Sequence, residues 1–77
     1  MEKSDFSIGV EFYTHGDGPA PKKWRCTDVG TRVITAIELV PGEDPRNQLG
    51  PPYSIVEHVF DEYDFPGCHL DPSEFDE

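Results

Sequence analysis

Three histidines and two cysteines are the residues of this chain best suited to bind a metal or attack an electrophile. His58, Cys68 and His69 combine imidazole and thiolate, both of them zinc ligands. They supply one adjacent Cys–His pair and one distant His, without the paired short spacings of a structural zinc site. Cys26 and Cys68 lie 42 residues apart, which is neither a redox CxxC nor a zinc pair. A reducing cytosol leaves both thiols free, whereas a bridge between them fits only a secreted context. Cys26 shares a strand face with Trp24 and reads as a small core residue rather than an activated nucleophile. Gly16-Asp17-Gly18 has no strand-to-helix context around it, so it reads as a flexible connection rather than a phosphate or cation loop. No acid and base stand paired for hydrolysis or group transfer. The expectation is a protein that is not an enzyme and needs neither cofactor nor metal. A small metal- or thiol-dependent protein built on His58, Cys68 and His69 is the alternative from a different class.

The second constellation is Asp61-Glu62-Tyr63-Asp64, the densest acidic cluster within the expected fold. Three carboxylates and a tyrosine can engage Arg or Lys on a partner, or chelate a hard cation through oxygen. The spacing of a calcium-binding EF-hand loop is absent, and the plain alternative is a solvated turn. Asp61, Glu62 and Asp64 are expected to form the centre of a partner-binding patch. They follow an apolar strand that anchors the backbone, and charge held on a rigid element loses less entropy on binding.

The whole-chain charge points the same way. Sixteen acidic and six basic residues give a formal net charge of −10 over 77 residues. Such a surface repels nucleic-acid phosphates and anionic lipid and favours basic protein or cations. Direct nucleic-acid binding is therefore excluded in expectation, and a basic protein surface is the expected partner. Charge is also segregated: Lys22, Lys23, Arg25, Arg32 and Arg46 lie between 22 and 46, while residues 47–77 hold eight carboxylates and no Lys or Arg. A basic hairpin facing part of the acidic C-terminal third is the simplest internal consequence. No run reaches the roughly 18 apolar residues of a membrane span, and the N-terminus lacks a signal-like apolar region. The expected location is cytoplasmic, with no membrane contact.

These groups must be held by strands. Residues 22–39, KKWRCTDVGTRVITAIEL, contain the single Trp and the clearest hairpin signal. Trp24 and Cys26 alternate with Arg25 and Thr27, the period of a half-buried strand. Asp28-Val29-Gly30-Thr31 is the predicted turn, with Asp28 capping it, Gly30 at positive φ and an Asp28–Arg32 pair across it. The return strand RVITAIELV is β-branched and apolar on both faces, as befits a central strand. Upstream, Phe6, Ile8, Val10 and Phe12 alternate with Ser7, Gly9, Glu11 and Tyr13 as a strand, with Gly9 marking a bend. Residues 15–21 and 41–52 are loops by their Gly and Pro content. Residues 53–64, YSIVEHVFDEYD, fit a helix capped by Ser54 and Glu57, or a strand to about Phe60 followed by a helical turn at 61–64. The strand reading is preferred. Cys68-His69-Leu70 is a further short strand or a packed segment.

The motifs WRCTDVGTRVITAIEL (24–39) and GPPYSIVEHVFDEYDFPGC (50–68) make the chain resemble small uncharacterised bacterial proteins of the phage or mobile-gene type. That resemblance spans about residues 6–68 and brings no established activity with it. The order of short strands also resembles SH3-like small barrels, an architecture that hosts many functions. The expected fold is therefore a mainly β, single-domain, SH3-like small barrel, with residues 1–5 flexible, 6–70 folded and 71–77 a disordered acidic tail. An antiparallel sheet carrying one helix at about 54–63 is the alternative. The expected core is Phe6 or Ile8 with Val10, Phe12, Trp24, Cys26, Val33, Ile37, Val56 and Phe60. The expected function is a non-enzymatic acidic protein-interaction module. A phage or mobile-element inhibitor that mimics nucleic acid lies within that class, and an uncharacterised structural domain is a further alternative. Exposed sheet edges leave the oligomeric state open.

Overall fold

A computed structural model describes residues 1–16, 18, 20–40, 42 and 56–71. The stretch with the strongest strand propensity forms the middle of the sheet. Strand β2 (Lys22–Val29) pairs antiparallel with β1 (Glu11–Thr14) on one side and β3 (Ile34–Glu38) on the other. Strand β4 (His58–Phe60) completes an open four-stranded antiparallel sheet in the order β1-β2-β3-β4. The fold is mainly β, and no α-helix occurs among the described residues. Among the described residues, two short 3-10 turns, Lys3–Asp5 and Phe65–Gly67, flank the sheet.

The alternative of a helix at about 54–63 is not formed over its described part. His58–Phe60 is extended and paired with Ile34–Ala36, and the chain turns at 62–64 before the second 3-10 turn. Pairing there lets Phe60 reach the core beside Ile34, and the β-branched neighbour Val59 suits the pleat. The strand-then-turn reading of this segment is the one observed; residues 53–55 lie outside the described set. Among the described residues one further bridge touches the sheet edge. Tyr13 and His69 exchange backbone hydrogen bonds of 2.7 and 2.9 Å, so the chain beyond the second 3-10 turn returns to the outer edge of β1. The expected last strand at 68–70 is thus a single bridge.

A bulge in β2 decides which residues face inward. Strict alternation from Trp24 and Cys26 would put Asp28 in the core. The β2–β3 register shifts between Cys26 and Asp28, so that Asp28 lies opposite Thr35 and is exposed, while Val29 lies opposite Ile34 and packs against the core. Thr27, the extra residue, is buried; its hydroxyl donates to Glu57 Oε1 at 2.6 Å. Having one proton to give, it accepts the second bond, 2.8 Å, from Thr35.

The core is an aromatic cluster on one face of the sheet. Phe12 meets Phe6 and Phe60 edge-on with centroids at 5.2 and 5.4 Å, Trp24 meets Phe60 at 5.0 Å, and Phe6 meets Phe65 at 5.1 Å. Each such pair adds about 0.5–1.5 kcal/mol beyond its buried area. The Trp24 indole is satisfied by Thr14, whose Oγ1 accepts from Nε1 at 2.9 Å. Ile34, Ala36, Cys26 and Cys68 fill the remainder.

Two core expectations, Val33 and Val56, need correction, and the choice between Phe6 and Ile8 is decided for Phe6. Ile8 is exposed, because Gly9 at φ +95° turns the chain and ends the expected strand, so that β1 begins only at Glu11. Phe6 is the residue that packs, and Gly9 is the bend foreseen. Val56 is exposed, two residues before β4 starts. Around β3 the residues in the aromatic cluster are Ile34 and Ala36, and Val33 is only half-buried; Ile37 is fully buried as expected, but on the opposite face beside Arg25. Both faces of that strand are apolar, so its periodicity did not select one.

The hairpin turn also differs. It runs two residues later than predicted, over 30–33, with the Gly30 N–H bonded to the Val33 carbonyl at 2.8 Å. Positive φ among the described residues occurs at Gly9 and Gly42, not Gly30. Four residues bridge the strands, which relieves the need for the left-handed pair of a two-residue turn. Asp28 accepts from the adjacent Val29 N–H at 2.9 Å, and a surface ion pair joins Lys23 to Glu11 at 3.0 Å.

Candidate functional site

The acidic turn at 61–64 is strung between two buried phenylalanines, Phe60 at the end of β4 and Phe65 at the start of the second 3-10 turn. Its backbone is tied by its own carboxylates. Asp61 Oδ1 accepts from the Tyr63 N–H at 2.9 Å, and Asp64 Oδ2 accepts from the Asp61 N–H at 3.0 Å. The Asp61 carbonyl takes the N–H groups of Asp64 and Phe65, and the Asp64 carbonyl takes that of Gly67. Asp and Asn are suited to such turns because their short side chains reach amides one to three residues away.

The three predicted residues are therefore brought together but are not equivalent. Asp61 is half-buried, while Glu62 and Asp64 are exposed. Tyr63, absent from the predicted site, is the most exposed of its large neighbours at 84%. Each aspartate spends one oxygen on a backbone amide and keeps acceptor capacity facing solvent.

Among the described residues, three grooves adjoin this turn. Arg32, at the tip of the β2–β3 hairpin, lines two of them. One of about 310 Å³ sets Arg32 and Val33 against Asp61, Glu62 and Tyr63. Another of about 440 Å³ lies between Thr31-Arg32, the N-terminal turn, Glu62 and Phe65-Pro66. Of the basic hairpin residues, Arg32 is the one that lines these grooves with the acidic turn, while Lys23 pairs with Glu11 on β1. The third groove, about 310 Å³, is lined by Thr14, His15, Phe60, Tyr63, Asp64 and Gly67.

The Met1 ammonium closes the far side of this corner, donating to the carbonyls of Phe65 and Cys68 at 2.9 Å each. The acidic 71–77 segment falls outside the described residues apart from Asp71.

The structure does not assemble His58, Cys68 and His69. His58 is exposed and stacks edge-on against Trp24 at 5.1 Å; His69 sits in the bridge to Tyr13. Cys68 is fully buried, and its thiol donates to the Asp64 carbonyl at 3.4 Å. Burial pushes that thiol up to about 11, only partly opposed by the nearby N-terminal ammonium. Cys26 is likewise free and buried, and burial raises it too. Neither thiol is an accessible thiolate, the form that ligates metal or attacks carbon. No group of three or more His, Cys, Asp or Glu side chains suited to a metal occurs among the described residues. None of their helices is long and apolar enough to cross a membrane.

Comparison with protein-family models found no match, and comparisons with curated proteins and with solved structures found none.

Proposed function

We propose that this chain is a non-enzymatic interaction module that offers a rigid acidic turn, Asp61, Glu62 and Asp64, to a basic protein surface. The anchoring of that turn carries the reading. Phe60 and Phe65 bury its two ends, and its own carboxylates tie the backbone between them. Exposed charge on such a frame is pre-organised, so little conformational entropy is lost when a partner docks. The net charge of −10 selects a basic partner over nucleic acid or anionic lipid.

Within this class, a phage or mobile-element inhibitor acting in the cytoplasm fits the charge best. It sets carboxylates where a target's nucleic-acid cleft expects phosphates. The SH3-like barrel reading is supported by the 3-10 turn at Phe65–Gly67 followed by the Tyr13–His69 bridge, which brings chain from beyond β4 to the opposite edge of the sheet.

The test is association with a panel of basic nucleic-acid-binding domains, measured at low and high salt with duplex DNA as competitor. The combined variant Asp61→Asn, Glu62→Gln, Asp64→Asn should slow association and flatten its salt dependence, because steering charge acts mainly on the on-rate. Deleting residues 71–77 should do much less. Binding that survives the triple change but is abolished by the deletion would place the site elsewhere.

A further inference from the structure

We propose that the groove lined by Thr14, His15, Phe60, Tyr63, Asp64 and Gly67 is a socket for a single arginine side chain of the basic partner. The inference rests on the acidic-module reading and assigns the contact at its centre. Of the three grooves that described residues form beside the acidic turn, the other two carry Arg32 in their walls, and one of them Lys3 as well. A guanidinium entering either meets a like charge. The third has no Lys or Arg among its lining residues and has Asp64 at its rim.

The remaining walls suit the same ligand. Phe60 and Tyr63 contribute rings, and a guanidinium is the side-chain cation best matched to aromatic faces and to carboxylate together. Asp64 has one oxygen committed to the Asp61 N–H at 3.0 Å and keeps the other, with further lone pairs, for a charge-assisted bond. Thr14 is fixed by the Trp24 indole, which donates to its Oγ1 at 2.9 Å, so one wall of the groove is keyed to the core. At about 310 Å³ the groove is at the small end of ligand sites, in keeping with one side chain rather than a folded ligand. Its titratable lining groups are His15, Tyr63 and Asp64.

The experiment is an amide NMR titration of the full chain with the capped tripeptide acetyl-Gly-Arg-Gly-amide. The isosteric neutral citrulline peptide serves as the control. Arginine should shift the amides of Thr14, Tyr63, Asp64 and Gly67 together with the Trp24 indole N–H, and citrulline should do so more weakly. Tyr63→Leu, at an exposed position, should weaken binding about two- to fivefold by removing the ring face. Asp64→Asn keeps an acceptor for the Asp61 N–H and should weaken binding as well. Shifts centred on Arg32, equal binding of citrulline, no shift at all, or indifference to Tyr63→Leu would each overturn the socket. If any of these occurs while the triple neutralisation still impairs docking to basic domains, only the socket fails. If arginine binds here but the triple neutralisation leaves docking untouched, the acidic-module reading fails instead.

Discussion

The aromatic core and the acidic turn share two residues, Phe60 and Phe65, and are built on opposite principles. In the core most ring contacts join residues far apart in the chain, such as Phe6 with Phe65 and Phe12 with Phe60, whereas Phe6 and Phe12 are near in sequence. In the turn the bonds are local, spanning two to four residues between 61 and 68. The core therefore gains its stability only when the whole sheet is assembled, while the turn needs just its two ends pinned. Losses in the core should be global, and changes in the turn should be felt by a partner rather than by the fold.

The sharpest way to break this contrast is Phe12→Ala. Phe12 is fully buried and touches the rings of both Phe6 and Phe60, so the loss should be about 3–5 kcal/mol. A chain of this length has roughly 4–12 kcal/mol to lose, and urea denaturation should find the variant largely unfolded. A midpoint close to wild type would mean that the rings are not the organising contacts.

Alkaline pH probes the seam between the two regions, where Cys68 packs in the core while bonding to the turn. Its folded pKa, about 11, lies above the ordinary 9.0, so the folded state holds the proton more tightly than the unfolded one. The stabilisation is complete below pH 9 and is lost as pH rises through about 11, because the unfolded chain ionises first. Cys26 contributes with the same sign. The fall should be on the order of 2 kcal/mol. Cys68→Ala should lower stability at neutral pH yet flatten this decline, and an unchanged slope would assign the alkaline loss elsewhere.

Smaller again is Thr14→Val, which leaves the Trp24 indole without its acceptor at nearly constant shape. A loss of about 1 kcal/mol is expected, with a shift of the indole N–H resonance. Smallest of all on stability is the triple neutralisation of Asp61, Glu62 and Asp64, which preserves acceptors for both turn amides. It should change unfolding free energy by less than about 0.5 kcal/mol. A loss comparable to that of Phe12→Ala would erase the distinction between fold and docking surface.

Much of this arrangement is legible in residue order because it rests on local chemistry. Alternation and β-branching mark the central hairpin, Gly9 marks a bend, and the Asp-rich turn after Phe60 follows from carboxylates that reach their own amides. The concentration of carboxylates after residue 47, with no basic residue among them, needs no structure to be seen. What only the tertiary structure decided is which face wins and which distant groups meet. Cys26 and Asp28 sit two residues apart, yet the bulge at Thr27 sends one to the core and the other to solvent, a choice set by pairing with β3 rather than by either side chain. Ile34 and Ala36 prevail over Val33 on the core face because β3 must also meet Phe60 across β4. The socket joins Thr14 from β1 to Tyr63 and Asp64 some fifty residues later. No periodicity records that encounter, since it exists only once the chain beyond β4 folds back and bridges to Tyr13.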